Sequence, residues 1–142
     1  MPWLNRKERN VMAGIVPPAP RNSGDLEDRR RDVYSQSAWK RLRAAKLADQ
    51  PLCEICLQAG RYVPADHVHH LRTFTRAHDP EARMALAFDY DNLCSIKDEV
   101  HFKYHAICEA RGIPADHTPQ EIYCIIKEYC DKHKETPPWD RL

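Results

Sequence analysis

The segment that decides the fold covers residues 92–105 and reads NLCSIKDEVHFKYH. Its first five residues, 92–96, are mostly apolar, which is typical of a short strand that returns against a neighbour. A helical pattern follows over Asp98–Arg111, with two acids in its first turn and Gly112 directly after its end. The sequence therefore predicts a strand that leads straight into a helix.

Two histidines of this helix, His101 and His105, lie four residues apart. That spacing puts both imidazoles on one face, so that they can share one metal ion. A third ligand can come from His69 or His70, which fall in the preceding predicted strand. Neighbours on a strand face opposite ways, so one of the two can bind the ion and the other stays free as a base. Either pair alone is a weak signal, but the joint pattern indicates a metal centre.

A helix and a hairpin are predicted before this segment. Residues 37–47 carry an apolar stripe among cations and form the predicted helix, with Ser35 or Ser37 as its cap. Residues 61–71 carry β-favouring side chains and are expected to pair with residues 92–96.

Two further helices are signalled by their first residues. A short helix is expected over residues 79–88, starting at an Asp-Pro pair. Residues 118–121 read Thr-Pro-Gln-Glu, a capping box with proline at the first helical position, and predict a final helix.

Charge is unevenly distributed along the 142 residues, whose formal net charge is +1. Residues 1–47 hold eleven lysines and arginines against five acids, a local net charge of +6. This region is either a phosphate-facing end or a solvated tail and helix face. The first ten residues lack the apolar segment of a secretory signal, and no apolar run is long enough to cross a membrane. The expected location is therefore the cytoplasm, without a membrane partner.

The order of the polar residues resembles the signature of the HNH endonucleases, a ββα-metal family. The His69-His70 pair precedes Asn92, and Asn92, His101 and His105 match the family's Asn-x8-His-x3-His spacing. The phage-type branch of the family carries further motifs, which this chain matches at Tyr34, Trp39, Cys53, Cys56, Gly60, Pro64, Ala65, Val68, Tyr90, Asp91 and Leu93. The resemblance covers about residues 33–106.

The resemblance implies a metal-dependent DNA endonuclease that hydrolyses phosphodiester bonds with one divalent ion, Mg²⁺, Mn²⁺ or Zn²⁺. His70 would be the general base that takes a proton from the attacking water. His69, His101 and His105 would be the metal ligands. Asn92 would orient His70 through hydrogen bonds.

The implied fold class is α+β, with a small ββα-metal (HNH) core, a preceding helix, a C-terminal helix and a flexible N-terminal arm. The arm is expected over residues 1–30, which are basic and rich in breakers, and the nuclease domain over residues 31–112. Residues 113–142 are expected to form a C-terminal helix and tail packed on that domain.

The implied partner is double-stranded DNA, and the phage-type resemblance adds phage packaging proteins by association alone. Residues 72–91 hold several arginines and are either a contact to the DNA backbone or an ordinary loop. Arg72 is the leading candidate for a phosphate contact because it directly follows the strand, and Lys40 and Arg43 are candidates on the preceding helix. Nicking of one strand and cleavage of both are left open.

The cysteines depart from the family pattern. Cys53 and Cys56 form a C-x-x-C, but the family's second pair falls here at Lys97 and Val100. The two cysteines are either part of a structural zinc site, with Cys94 recruited, or buried small side chains, and the second interpretation is preferred.

A second acid–histidine pair, Asp66-His67, offers another register. The flanking Pro64-Ala65 places the active pair at His69-His70 instead, and His67 then shares a face with His69. It is either near the metal or an exposed strand residue, and the second interpretation is preferred. Two other functions stay open: a catalytically inactive DNA-binding or structural module with the HNH fold, and a small zinc-binding interaction domain.

Overall fold

The computed structural model describes residues 25–77 and 79–142, and within them the chain is of the predicted α+β class. The helices are α1 (Leu26–Tyr34), α2 (Ser37–Asp49), α3 (Glu54–Gln58), α4 (Pro80–Ala87), α5 (Asp98–Arg111) and α6 (Pro119–His133). The strands are β1 (His67–His70) and β2 (Leu93–Ile96), and short 3-10 turns cover Tyr90–Asn92 and Pro138–Asp140.

The predicted hairpin is present as an antiparallel pair, but its first strand is shorter than expected. β1 and β2 pair with His67 opposite Ile96 and His70 opposite Leu93. Residues 61–66 were expected in the same strand. The backbone of this segment bonds mainly to the residues before α3, because Cys53 N donates to Val63 O at 2.8 Å and Ala65 N to Pro51 O at 2.8 Å. Pairing with β2 is taken up by Asp66, whose N donates to Ile96 O at 3.2 Å.

The two faces of this sheet pack against different cores. One core lies under α3, α5 and α6 and includes Cys94 and Ile96 of β2. The other lies under α1, α2 and α4 and includes Val68 and Leu93. Successive side chains of β1 therefore enter different environments, as strand alternation requires.

The N-terminal arm was predicted too long. α1 already begins at Leu26, because the Asp25 carboxylate caps it by accepting from Asp28 N at 2.8 Å and two acids lie in its first turn. Residues 26–30 are thus helical, and residues 1–24 of the expected arm lie outside the described residues.

The cap expected for α2 was also wrong, although the helix itself is confirmed. The residue at its N-cap is Gln36, which makes no side-chain cap bond. Ser35 instead ends α1, where its hydroxyl donates to Arg31 O. The serine is used by the preceding helix, which the sequence pattern did not reveal.

The remaining helices match their sequence signals. α4 starts at the Asp79 cap, α5 ends at Gly112 with φ of +65°, and α6 starts at a complete capping box of Thr118 and Glu121. The positive φ at Gly112 is one that side-chain-bearing residues rarely adopt. α6 lies against α3 and α5, so the C-terminal segment is part of the core.

None of the helices in the described ranges is long and apolar enough to span a lipid bilayer.

Candidate metal centre

Three histidines meet on one face of β1. His69 points from the strand toward α5, which contributes His101 and His105 from its first two turns. Nδ1 of His69 lies 3.2 Å from Nε2 of His101, and that nitrogen lies 3.0 Å from Nε2 of His105. Each of the three offers one ligand atom within 4.8 Å of the others, and this is the group in residues 25–77 and 79–142 that could hold a metal ion.

The donor set fits a divalent metal ion. A neutral imidazole has one N–H and one lone pair, so three converging nitrogens cannot all satisfy one another by hydrogen bonding. In a tetrahedral zinc site with Zn–N distances of about 2.0–2.1 Å, ligand nitrogens are about 3.4 Å apart. The separations in the cluster are close to that value. Three protein ligands also leave one position open, which is the pattern of catalytic and not of structural zinc sites.

The electrostatics of the cluster favour the neutral form that metal binding needs. Burial lowers the pKa of His69 well below its usual value, and the neighbouring imidazoles lower it further. Burial, with the charge of His105 next, lowers the pKa of His101 to about 3. Neutral imidazoles can give their lone pairs to a metal without first losing a proton.

His67 and Asp66 are placed beside the cluster and not in it. The His67 ring lies 4.5 Å from that of His101, so the interpretation of His67 as near the metal fits better than an exposed strand residue. The Asp66 carboxylate accepts from Lys97 Nζ at 2.8 Å and from Asp98 N at 2.7 Å, which fixes the start of α5. The strand register therefore brings His69 to the helix histidines.

Buried groups surround His69 on its inner side. Tyr104 packs edge-on against the His69 ring at 5.6 Å and shares a 2.6 Å hydrogen bond with His117 Nδ1. Nε2 of His69 is buried and has no hydrogen-bond partner among the described residues. A buried polar atom without a hydrogen-bond partner lowers the stability of the folded protein.

His70 lies on the opposite face of β1. Its ring stacks on Trp39 at 4.9 Å and meets the edge of Phe74 at 4.8 Å, and only 6% of the residue is exposed. Nε2 of His70 donates to Ala87 O at 3.0 Å, which leaves the lone pair on Nδ1. Burial lowers the pKa of His70 to about 4, against the opposing effect of the Ala87 carbonyl.

Asn92 fixes the backbone at the end of β1. Its side chain accepts from Arg72 N at 2.8 Å and donates to Arg72 O at 2.9 Å and Leu86 O at 3.0 Å. The last of these contacts is one residue from Ala87, the hydrogen-bond partner of His70. Asn92 thus joins the segment after His70 to the end of α4, which is the geometry that a positioning residue needs.

The cysteines lie deep in the core under α3. Cys53, Cys56 and Cys94 have no exposed surface, and within the described ranges they do not form a group of three close metal donors. A hydrogen bond from the Cys56 thiol lowers the pKa of Cys53 to about 6. The carboxylate of the neighbouring Glu54 accepts a hydrogen bond from Ser95 N at 2.6 Å. This burial agrees with the preferred interpretation of the cysteines as small core side chains.

The structure does not bring the three candidate DNA-contacting cations to the histidine cluster. Arg72 lines a separate cleft of about 400 Å³ together with acids, which are Asp89, Asp91, Asp116 and Glu121. Arg43 donates to Asp66 O at 2.9 Å, and Lys40 is exposed on α2.

The cleft beside the cluster is lined by two other arginines, Arg30 and Arg76. The sequence assigned Arg30 to the arm and gave Arg72 priority over Arg76. The run of three arginines at 29–31 was the available signal, but it did not indicate which of them faces the site.

Comparisons of the chain with protein-family models, with curated proteins and with solved structures give no match. The likeness to the HNH family is therefore a resemblance of sequence motifs.

We expect His101→Ala to lower the affinity for Zn²⁺ by at least about a hundredfold, since loss of even an outer-shell partner costs 10–100-fold. His101 is the ring whose nitrogen lies nearest to both other ligand atoms. Competition with a chelating dye measures the affinity. His133→Ala, at the exposed end of α6, is the matched control and keeps wild-type affinity. Equal zinc binding by both variants would contradict the ligand assignment.

A second prediction concerns acid stability. The pKa of His70 is about 4 in the folded protein against 6.5 for the free side chain. As pH falls from about 6.5 to about 4, the unfolded chain binds a proton that the folded chain does not, so the free energy of unfolding decreases. We expect His70→Gln to remove about 3 kcal/mol of this loss between pH 7 and pH 4.

Urea denaturation at several pH values measures this acid dependence. His133→Gln is the exposed control and should keep the wild-type dependence. An unchanged dependence in His70→Gln would show that His70 is not held neutral in the folded state.

Proposed function

We propose that this protein is an HNH-type DNA endonuclease that hydrolyses phosphodiester bonds with one divalent metal ion and a histidine base. The observation that carries the proposal is the division of β1, with His69 in a three-histidine cluster on one face and His70 in a defined tautomer on the other. The order β1, β2 and α5 supports a ββα-metal core, because β1 and α5 supply the three histidines and β2 pairs with β1 between them in sequence.

His69, His101 and His105 would hold the metal ion through Nδ1 and the two Nε2 atoms that converge. When bound, such an ion polarises a phosphoryl oxygen and stabilises charge on the leaving oxygen. The neutral imidazoles keep the full positive charge of the ion available to the substrate, which a carboxylate-rich site would partly cancel.

His70 acts as the general base. The Ala87 carbonyl holds its Nε2–H, so Nδ1 carries the lone pair that accepts a proton from water. Burial lowers the pKa of His70 to about 4 in the protein without DNA. A phosphate anion beside the ring favours the protonated form and raises the pKa toward the operating pH.

Asn92 acts as a positioning residue. Its side chain fixes both the N–H and the C=O of Arg72, two residues beyond His70, and also holds the end of α4. Because the His70 acceptor lies at that same end of α4, loss of Asn92 would let the base and its acceptor move apart.

The second candidate is a catalytically inactive DNA-binding or structural module with the same fold. The enclosure of His70 between Trp39 and Phe74 favours it, because a ring that is 6% exposed has limited access to water. Double-stranded DNA as partner, packaging proteins as further partners, and the cytoplasmic location all stay predictions.

Plasmid cleavage tests the proposal. We expect the protein to convert supercoiled DNA to nicked or linear forms with Mg²⁺, Mn²⁺ or Zn²⁺, and chelation to stop it. His70→Ala should lower the rate by about 10²–10⁴-fold, the usual contribution of a general base. His70→Gln, which can still donate to Ala87 O, separates loss of the base from loss of folding.

His133→Ala is the activity control and should cut at the wild-type rate. Intact plasmid with every metal, together with a shift of the same DNA in a gel, would favour the inactive module. Cleavage by His70→Ala at the wild-type rate would reject His70 as the base.

A further inference from the structure

A cleft of about 420 Å³ opens beside the metal centre, between α1, the loop after β1 and the C-terminal half of α5. His69 and His105 form part of its wall. Its other polar lining residues are Arg30, Thr73, Thr75, Arg76 and Glu109. The cleft therefore connects the metal ligands with a set of cations and hydroxyls that the fold gathers from distant parts of the chain.

Arg30 and Arg76 are exposed, and neither makes a hydrogen bond or ion pair with any residue in the described ranges. The helix that carries Arg30 is nevertheless held in place, because the neighbouring Arg29 donates to Thr75 O at 2.7 Å. Two guanidinium groups are thus presented from anchored backbone without carboxylate partners. Guanidinium groups bind phosphate oxygens in a bidentate geometry.

With a metal ion bound, the cleft would carry a net positive charge, which favours binding of an anion. A divalent ion on three neutral imidazoles keeps its whole charge, and Arg30 and Arg76 add to it, while Glu109 is the acid among the described lining residues. A structural zinc site would instead be closed by a fourth protein ligand and would compensate this charge with cysteine thiolates.

We propose that this cleft is a phosphoryl-binding site, in which Arg30 and Arg76 hold oxygens of the phosphate whose remaining oxygen faces the metal position. The inference rests on the proposed function in taking that phosphate to be a DNA phosphodiester. It makes α1 part of the active site, and it requires that metal and anion each raise the affinity for the other, because binding linkage is reciprocal.

The test uses the double variant Arg30→Gln/Arg76→Gln in the full chain, with Arg141→Gln as the control. Arg141 is exposed near the C-terminal end and does not line the cleft. Fluorescence anisotropy measures binding of a labelled duplex in the His70→Gln background, with and without Zn²⁺. Dye competition measures Zn²⁺ affinity with and without inorganic phosphate. Thermal unfolding checks that the exposed substitutions leave the fold intact.

We expect Zn²⁺ to strengthen duplex binding about tenfold or more in the parent, which is within the usual range of coupling between sites. The double variant should lose about tenfold in duplex affinity for each arginine. The slope of log affinity against log salt should become shallower by about 1 for each lost contact. In the double variant, Zn²⁺ should no longer strengthen duplex binding appreciably.

Duplex binding by the double variant that matches the Arg141→Gln control would overturn the proposal. Coupling of Zn²⁺ to inorganic phosphate but not to the duplex would overturn DNA as the source of the phosphate. The enzyme proposal is tested separately. If the wild-type protein never cuts plasmid but still shows arginine-dependent coupling between Zn²⁺ and the duplex, the nuclease function is rejected and the anion site is retained. Cleavage that is unaffected by both arginine substitutions rejects the anion site alone.

Discussion

The alternation of side chains along β1 determines which side of the sheet His69 and His70 occupy, and the placement of the candidate site follows from it. Pairing with β2 fixes the register, so His69 shares a face with Cys94 and turns to α5, while His70 shares a face with Leu93 and turns to α2. A shift of one residue would exchange the two histidines and separate the ligands from one another. Both packed cores hold this register, because each buries one face of the same two strands.

Hydrogen bonds from polar groups at the two ends of β1 add to the packing that holds the strand in place. Asp66 joins the start of the strand to the first turn of α5, and Asn92 joins its end to α4. These bonds set where His101 stands relative to His69 and where the Ala87 carbonyl stands relative to His70. In the cluster, Nδ1 of His69 and the Nε2 atoms of His101 and His105 converge, and three neutral imidazoles cannot all satisfy one another there by hydrogen bonding. A metal ion bound by these nitrogens would offset that cost.

Local patterns predicted much of the fold and of the cluster. The i, i+4 spacing of His101 and His105, the capping box before α6 and the strand-to-helix segment at residues 92–105 each depend on neighbours in sequence, and all are found. The shortened β1 and the placement of the cleft arginines depend on long-range contacts instead. The Arg29 side chain donates a hydrogen bond to Thr75 O, which lies 46 positions away in sequence. The pattern of residues 1–30 does not predict such a contact.

X-ray absorption spectroscopy of the protein with one equivalent of Zn²⁺ reports the atoms around the bound metal and so tests whether the three histidines are its ligands. We expect nitrogen scatterers at about 2.0–2.1 Å, with the multiple-scattering pattern of imidazole and an oxygen ligand in the open position. Sulfur scattering at about 2.3 Å would instead place the ion at the cysteines under α3. It would contradict the assignment of the metal centre to His69, His101 and His105.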